Sequence, residues 1–374
     1  MTEPTGTNRE PSVADVPVQL LDADGHRVDH PDFSFTGPDA EIAAHLRDMV
    51  LTRRIDTEAT ALQRKGELGL WPPSLGHEAA HIGSVRATRD PDLLIPYYRE
   101  HGVAWCLGVD PVDILSTFRG TGMMDWPSRP DNLHIYSFVI GTQTLHAVGM
   151  AMALQRDGLV GNDDPAANGA AIVYFGDGSI SQGDVNEAFV FAASCDAPVV
   201  FFCENNQYAI SEPTSLQSRV PLYRRAQGFG FPGIRVDGND VLAVQAVTAW
   251  ALDHARRGLG PVLIEAYTYR MGAHTTSDDP TKYRVDAEVE EWLAKDPIQR
   301  VRAYLWERGA IDQAWLDALS AESDALAERL RAECVALPEP ELADYFGLVH
   351  ARTPDHLLAQ REAYLAYESS FEEA

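Results

Sequence analysis

The chain is short of positive charge: 30 Lys and Arg stand against 56 Asp and Glu, a formal charge of −26 at pH 7. Phosphate backbones demand clustered cations, so the charge balance opposes a nucleic-acid role. Docking on an anionic membrane surface is disfavoured for the same reason. Apolar runs are short, and none approaches the ~20 residues of a membrane span. Cysteine is scarce: Cys106, Cys195, Cys203 and Cys334 show no C-x-x-C spacing. Cys195 and Cys203 sit in apolar surroundings that suit buried free thiols. The N-terminus, MTEPTGTNREPSVADVP, has neither a signal-peptide core nor the Arg-rich, acid-poor look of a transit peptide, so a cytoplasmic location is expected. Repeats and low-complexity tracts are absent. A hydrophobic content of 45% and 374 residues leave ample material for a core, in one large α/β domain with appendages or in two domains.

What the chain does have is one dense stretch, Ala170 to Ser211. Ala170–Phe175 is an apolar, β-branched and aromatic run of the length of a fully buried strand. Gly176-Asp177-Gly178-Ser179 follows, and its glycines allow a sharp turn and close approach by a ligand. From Gln182 to Ser194, Val185, Ala188, Phe189 and Ala192 recur at helical spacing. Asp196-Ala197-Pro198 breaks that helix, and Val199–Cys203 forms a second strand running into Glu204-Asn205-Asn206. Strand, helix and strand in so short a span predict a right-handed crossover in a parallel sheet. Ligands of such sheets sit beyond the carboxyl ends of the strands, so Asp177 and Asn206 share one rim. A carboxylate and an amide are hard oxygen donors of the kind Mg²⁺ or Ca²⁺ prefers, and the helix start near Gln182 favours a phosphate at the same place. The residues alone leave two readings open: a divalent ion holding a phosphorylated ligand, or a βαβ unit with two polar turns and nothing bound.

Gly176-Asp177-Gly178, then 26 residues, then Asn205-Asn206 is similar to the thiamine-diphosphate signature. The longer segment resembles the α subunit of the decarboxylating component of 2-oxo acid dehydrogenase complexes, over roughly residues 40–365. The resemblance implies that Asp177, Asn206 and the backbone carbonyl of Tyr208 hold Mg²⁺, which binds the diphosphate, with Gly178 and Ser179 among the cofactor contacts. It places Tyr98 and Arg99 on the diphosphate, where the planar guanidinium grips phosphate oxygens in pairs. Ile140 and Phe138 carry over as backbone contacts to the aminopyrimidine ring. His274, on a Gly-flanked loop beyond a later strand, and His101, on the side of the reacting carbon, are the catalytic residues it implies. Thr275 stands where animal relatives carry a regulatory phosphoserine, and its phosphorylation is not expected.

The rest of the chain divides into a tail and arm over 1–36, an α/β domain over 37–284 and a helical region over 285–374. Residues 18–36 read as an extended arm with a turn at Asp24-Gly25, and a long amphipathic helix runs from Asp39 to about Lys65. A strand at 233–238, a helix over 240–257 and a strand over 261–269 continue the alternation, predicting a doubly wound parallel sheet. Two motifs mislead. His77-Glu78-Ala79-Ala80-His81 satisfies the H-E-x-x-H zinc pattern but offers no third ligand in sequence. Gly228 to Gly233 fits G-x-G-x-x-G, yet no strand precedes it and Pro232 stands where the helix should begin. Near the C-terminus, Tyr345, Phe346, Leu348, Tyr364, Leu365 and Tyr367 suggest docking on a partner.

The expected activity is decarboxylation of a 2-oxo acid on thiamine diphosphate and passage of the acyl unit to the lipoyl group of an acyltransferase component. Branched-chain substrates are favoured over pyruvate because PVVFFCENNQYAISEPTS, IRVDGNDVLAV and TYRMGAHTTSDDPTKYR look closest to the branched-chain enzymes. Acetoin cleavage and a non-catalytic subunit are the alternatives. The family draws the Glu beside its pyrimidine from a β subunit, and one cofactor fold in 374 residues implies an assembly of two α and two β chains.

Overall fold

The computed structural model describes residues 16–122, 126–347 and 350–372. Residues 1–15 of the expected tail, Met123 to Asp125 of the Gly/Pro/Met loop and Leu348 lie outside the described residues. The elements are α1 (Asp39–Arg64), α2 (Glu78–Arg86), β1 (Leu93–Ile95), α3 (His101–Cys106), α4 (Pro111–Arg119), α5 (Thr142–Arg156) and β2 (Ala171–Gly176). Then come α6 (Gly183–Ser194), β3 (Val199–Asn205), β4 (Tyr208–Ala209), β5 (Glu212–Pro213), α7 (Thr214–Gln217), α8 (Arg225–Phe229) and β6 (Gly233–Asp237). The chain ends with α9 (Val241–Arg256), β7 (Val262–Tyr267), α10 (Asp286–Leu293), α11 (Pro297–Glu307), α12 (Gln313–Ala336) and α13 (Asp355–Glu372).

Five strands form one parallel sheet in the order β1-β2-β3-β7-β6, and β4 and β5 make a small antiparallel hairpin. Side-chain alternation divides the core. Ile172, Tyr174, Val200, Phe202 and Ile264 face the layer of α1, α2 and α9, whereas Val173, Phe175, Phe201, Cys203 and Leu263 face α5 and α6. With both faces covered, β2 and β3 read as continuous apolar runs rather than alternating ones. The expected arm is present: Val18 bridges to Val236, and Asp22 caps the Asp24-Gly25 turn by accepting from the Asp24 and His26 amides. Asp240 caps α9 through the Leu242 and Ala243 amides and also accepts from Leu20 and Leu21, tying the arm to the sheet. The hairpin and the short helices α7 and α8, in a stretch read from sequence only as a polar and aromatic connection, are additions of the tertiary structure. The Gly228–Gly233 segment ends α8 and enters β6, so it builds no dinucleotide turn. Among the described residues, no helix is long and apolar enough to cross a membrane.

One buried ion pair closes the edge of this layering. Asp92, just before β1, accepts from Arg256 Nε at 2.9 Å, from the Arg89 amide at 2.9 Å and from the Ala170 amide at 3.1 Å. Asp92 is fully buried, so removing its charge strands Arg256 in a low-dielectric site. Asp92→Asn is expected to cost about 3–5 kcal/mol in denaturant unfolding. Asp253→Asn, at an exposed pair with Arg257, should leave the transition unmoved.

Candidate functional site

The carboxyl ends of β1, β2, β3 and β7 open on one cleft of about 210 Å³. Its lining includes Tyr97, Tyr98, Arg99, Ile140, Asp177, Gly178, Ser179, Asn206, Tyr208 and His274. These come from five separate parts of the sequence, and the sheet order alone brings them together.

β2 delivers Asp177 at the head of a 3₁₀ turn spanning Asp177–Ser181, and α6 then starts at Gly183 with Gln182 as its N-cap, at the expected junction. Asp177 is buried; its Oδ2 lies 3.0 Å from the Thr214 hydroxyl and accepts from Gln217 Nε2 at 3.2 Å. Burial pushes this carboxyl up to about 6 despite those hydrogen bonds. β3 delivers the asparagine pair, and the two side chains part. Asn205 donates to Glu265 Oε1 at 2.7 Å inside the sheet, while Asn206 lines the cleft and accepts from the Tyr208 amide at 3.2 Å. Gln207 and Ile210 flank the turn with φ of 71° and 55°, a left-handed conformation that non-glycine residues seldom adopt.

Arg99, after β1, is buried; it donates to the Pro73 carbonyl and, at 3.1 Å, to the His274 carbonyl. Arg270, after β7, donates to the carbonyls of Tyr208 at 2.8 Å and Ile210 at 2.7 Å and to the Tyr283 hydroxyl. Among the described residues neither guanidinium pairs with a carboxylate, and the Nε of each has no partner. Between them sits His274, with Nδ1 3.4 Å from Arg99 Nη2 and 3.4 Å from Arg270 Nη1. Burial, then Arg99 and Arg270, drive its pKa down to about 3, so the ring is neutral at pH 7. Facing two cations, Nδ1 serves as acceptor and Nε2 carries the proton. Asp278 holds the loop by accepting from the His274 amide at 2.9 Å and from the Tyr283 hydroxyl. Tyr98 stacks in parallel on the exposed Phe138 at 5.9 Å, so Phe138 borders the cleft rather than lining it, whereas Ile140 lines it.

His101 lies apart from the cleft lining. It is fully buried, stacked on Trp71 at 4.1 Å, with Nδ1 3.0 Å from the Tyr136 hydroxyl and Nε2 3.1 Å from the Pro72 carbonyl. Both nitrogens are occupied and the ring does not line the cleft, because α3 begins at this residue and turns its side chain into the core. Residues passed over in the sequence reading also line the cleft: Ser137, Gln182, Ala209 and Ile210. Arg270 was legible only as a cation just past a strand end, the position that Arg99 shares.

The H-E-x-x-H pattern acquires a third member. Glu204 faces α2, with Oε2 2.7 Å from His77 Nδ1 and Oε1 3.1 Å from His81 Nε2. Glu78 is no general base: it pairs with Arg53 at 2.7 Å and accepts from the Gly76 amide. Burial raises the Glu204 carboxyl, but His81 and His77 outweigh it and hold it below the usual range; burial lowers His77.

Fold and cleft together define a doubly wound α/β protein with a polar ligand site at the carboxyl rim of its sheet. The family model described as "Dehydrogenase E1 component" matches residues 46–342, and the chain belongs to that family of thiamine-diphosphate-dependent 2-oxo acid dehydrogenases. It is 43% identical to a 3-methyl-2-oxobutanoate dehydrogenase subunit alpha of Mycobacterium tuberculosis, over 92% of each chain. It is 35% identical to the pyruvate dehydrogenase E1 component subunit alpha of Staphylococcus aureus, over 94% of this chain and 93% of that one.

The neutrality of His274 is directly measurable. In the ligand-free chain its imidazole resonance should stay flat from pH 8 to about 4, and Arg270→Met should move its titration back towards 6.5. Because the folded value lies below the unfolded one, this histidine takes stability away as pH falls from 6.5 towards about 3. Titration of His274 near 6.5 in the unsubstituted chain would contradict the assignment.

Proposed function

We propose that this chain is the α subunit of a branched-chain 2-oxo acid dehydrogenase and binds thiamine diphosphate through Mg²⁺ in the cleft. The observation that carries the reading is two buried guanidinium groups, uncompensated by carboxylate, beside a carboxylate and an amide at one rim. Hard oxygen donors suit Mg²⁺, and paired cations suit a diphosphate. The residues present fit both groups. Asp177, Asn206 and the Tyr208 carbonyl would hold the metal, with Gly178 and Ser179 close by; Tyr98 and Arg99 would hold the phosphates, and Ile140 and Phe138 would border the pyrimidine. When bound, the cofactor supplies the nucleophilic carbon and the electron sink for decarboxylation.

The chain's own residues orient and shield. Arg99 is fixed by the Pro73 and His274 carbonyls, so little rotamer freedom is lost on gripping an anion. His274 keeps its proton on Nε2 and offers it as a hydrogen-bond donor in a site where a third positive charge would be costly. Tyr98 and Phe138 present a stacked aromatic rim that limits water.

The branched-chain preference follows from the Mycobacterium tuberculosis relative, more similar than the pyruvate-named ones. The names of both relatives as alpha subunits support a β partner, taken here in an assembly of two α and two β chains that delivers acyl groups to a lipoyl-bearing acyltransferase in the cytoplasm. Residues 37–284 form the binding unit, and the exposed Tyr364, Leu365 and Tyr367 of α13 belong to the docking surface.

Asp177→Asn is expected to weaken Mg²⁺-linked thiamine diphosphate binding by about 100-fold or more, and Arg99→Lys by about tenfold, in titration calorimetry of the co-produced assembly. Unchanged affinity in Asp177→Asn would remove the metal assignment. In the same assembly, catalytic efficiency for 3-methyl-2-oxobutanoate should exceed that for pyruvate by about tenfold or more, the scale on which pockets separate substrates by methylene groups. A pyruvate preference would reverse the substrate assignment, and cofactor binding without turnover of either acid would favour a non-catalytic subunit.

A further inference from the structure

The cluster beneath the cleft has a composition of its own. His77, His81 and Glu204 are each fully buried, and one ligand atom from each lies within 4.8 Å of the others. His77 and His81 sit one helical turn apart at the start of α2, with ring centroids 5.8 Å apart and planes inclined at 44°. Glu204 reaches them because alternation along β3 sends it, like Val200 and Phe202, to the face that α2 and α9 cover. Hydrogen bonding accounts for only part of the arrangement: His77 Nδ1 pairs with Glu204 Oε2 at 2.7 Å. His81 Nε2 stands 3.1 Å from Glu204 Oε1, yet both atoms, with His77 Nε2 and His81 Nδ1, lack a partner of acceptable geometry. Several unsatisfied buried polar atoms in one place call for an explanation, and a bound ion is one of the recognised ones.

We propose that His77, His81 and Glu204 form a second cation site, for a divalent transition ion of the Zn²⁺ class, distinct from the position assigned to Mg²⁺. Two imidazole nitrogens and one carboxylate select Zn²⁺, Fe²⁺, Mn²⁺ or Co²⁺ over Mg²⁺. Metal–ligand distances near 2.0–2.2 Å put neighbouring ligand atoms about 3–3.5 Å apart, so the cluster closes on an ion with small side-chain shifts. A second carboxyl is at hand: Glu100 is buried within electrostatic range of Glu204, burial and Glu204 hold its pKa well above the usual carboxylate range, and its Oε1 has no partner. Tyr97 separates the cluster from the cleft: it lines the cleft, and its hydroxyl donates to Glu204 Oε2 at 3.3 Å. With Glu78 pinned by Arg53 and no open face, the site anchors and does not hydrolyse. It bolts α2 to the strand end that carries Asn206. The assignment is independent of the cofactor reading, because none of the three side chains lines the cleft.

The test is the metal content of the full-length chain, co-produced with its β partner in medium supplemented with Zn²⁺ or Co²⁺ and desalted before elemental analysis. About one equivalent per chain is expected, with visible ligand-field bands for the Co²⁺ form and a raised unfolding temperature. His81→Gln and His77→Gln should lose the ion, whereas His26→Gln, at the exposed Asp22–Asp24–His26 turn, should keep it. An unsubstituted chain with no transition ion above the His81→Gln background overturns the site and leaves a purely hydrogen-bonded cluster. An equivalent retained in both cluster variants but lost in His26→Gln overturns it as well. Since the first readout uses the unsubstituted chain, misfolding of a variant cannot rescue the proposal.

Discussion

A guanidinium group buried without a carboxylate costs free energy until an anion reaches it. This chain buries two of them at one rim. Arg99 and Arg270 are held by backbone carbonyls, which orient them without neutralising them, and each stands 3.4 Å from the same imidazole nitrogen. Together with burial, that pair sets the tautomer and charge of His274, and it sets the sign of the ligand the cleft accepts. It does so against a net charge of −26, so the local field opposes the global one. An overall acidic surface keeps polyanions away while a small, well-aimed positive site remains for one diphosphate-sized group.

The parallel sheet makes that concentration of polar groups tolerable. Every strand of the sheet ends at the same rim, so backbone amides, short turns and one 3₁₀ segment gather where polar side chains find partners. Below the rim the strands are largely apolar on both faces, and two buried carboxylates in or beside them are satisfied by their neighbours. Glu265 takes Asn205 Nδ2 and the Tyr223 amide, and Asp240 takes four backbone amides from α9 and the N-terminal arm. Where β3 meets α2 the pattern departs from this rule, and the His77–His81–Glu204 cluster is the departure. It lies under Tyr97 and beside the strand end that carries Asn206, so whatever occupies it acts on the geometry of the cleft through two rigid elements.

Local pattern was enough to read the architecture. The apolar runs of β2 and β3, the helical spacing within α6 and the Gly-Asp-Gly turn each depend on neighbours a few residues apart, and they imply a crossover with Asp177 and Asn206 on one rim. The long helix from Asp39 and the arm with its Asp24-Gly25 turn are local in the same sense. The family resemblance rested on those same stretches. The burial of His101 was not legible, because a histidine after Tyr-Arg carries no local sign of which way α3 will turn it.

Determined by sequence alone, then, were the parallel α/β class, the carboxylate and amide of the rim, and the family, since all three are written in short-range periodicity and spacing. Only the tertiary structure decided that Arg270 stands beside Arg99, that Ser137 and Gln182 line the cleft, that His101 is core, and that Glu204 completes the H-E-x-x-H pair from 127 residues away from His77. The physical reason is the strand order β1-β2-β3-β7-β6. It sets which loops become neighbours, and no window of adjacent residues encodes it.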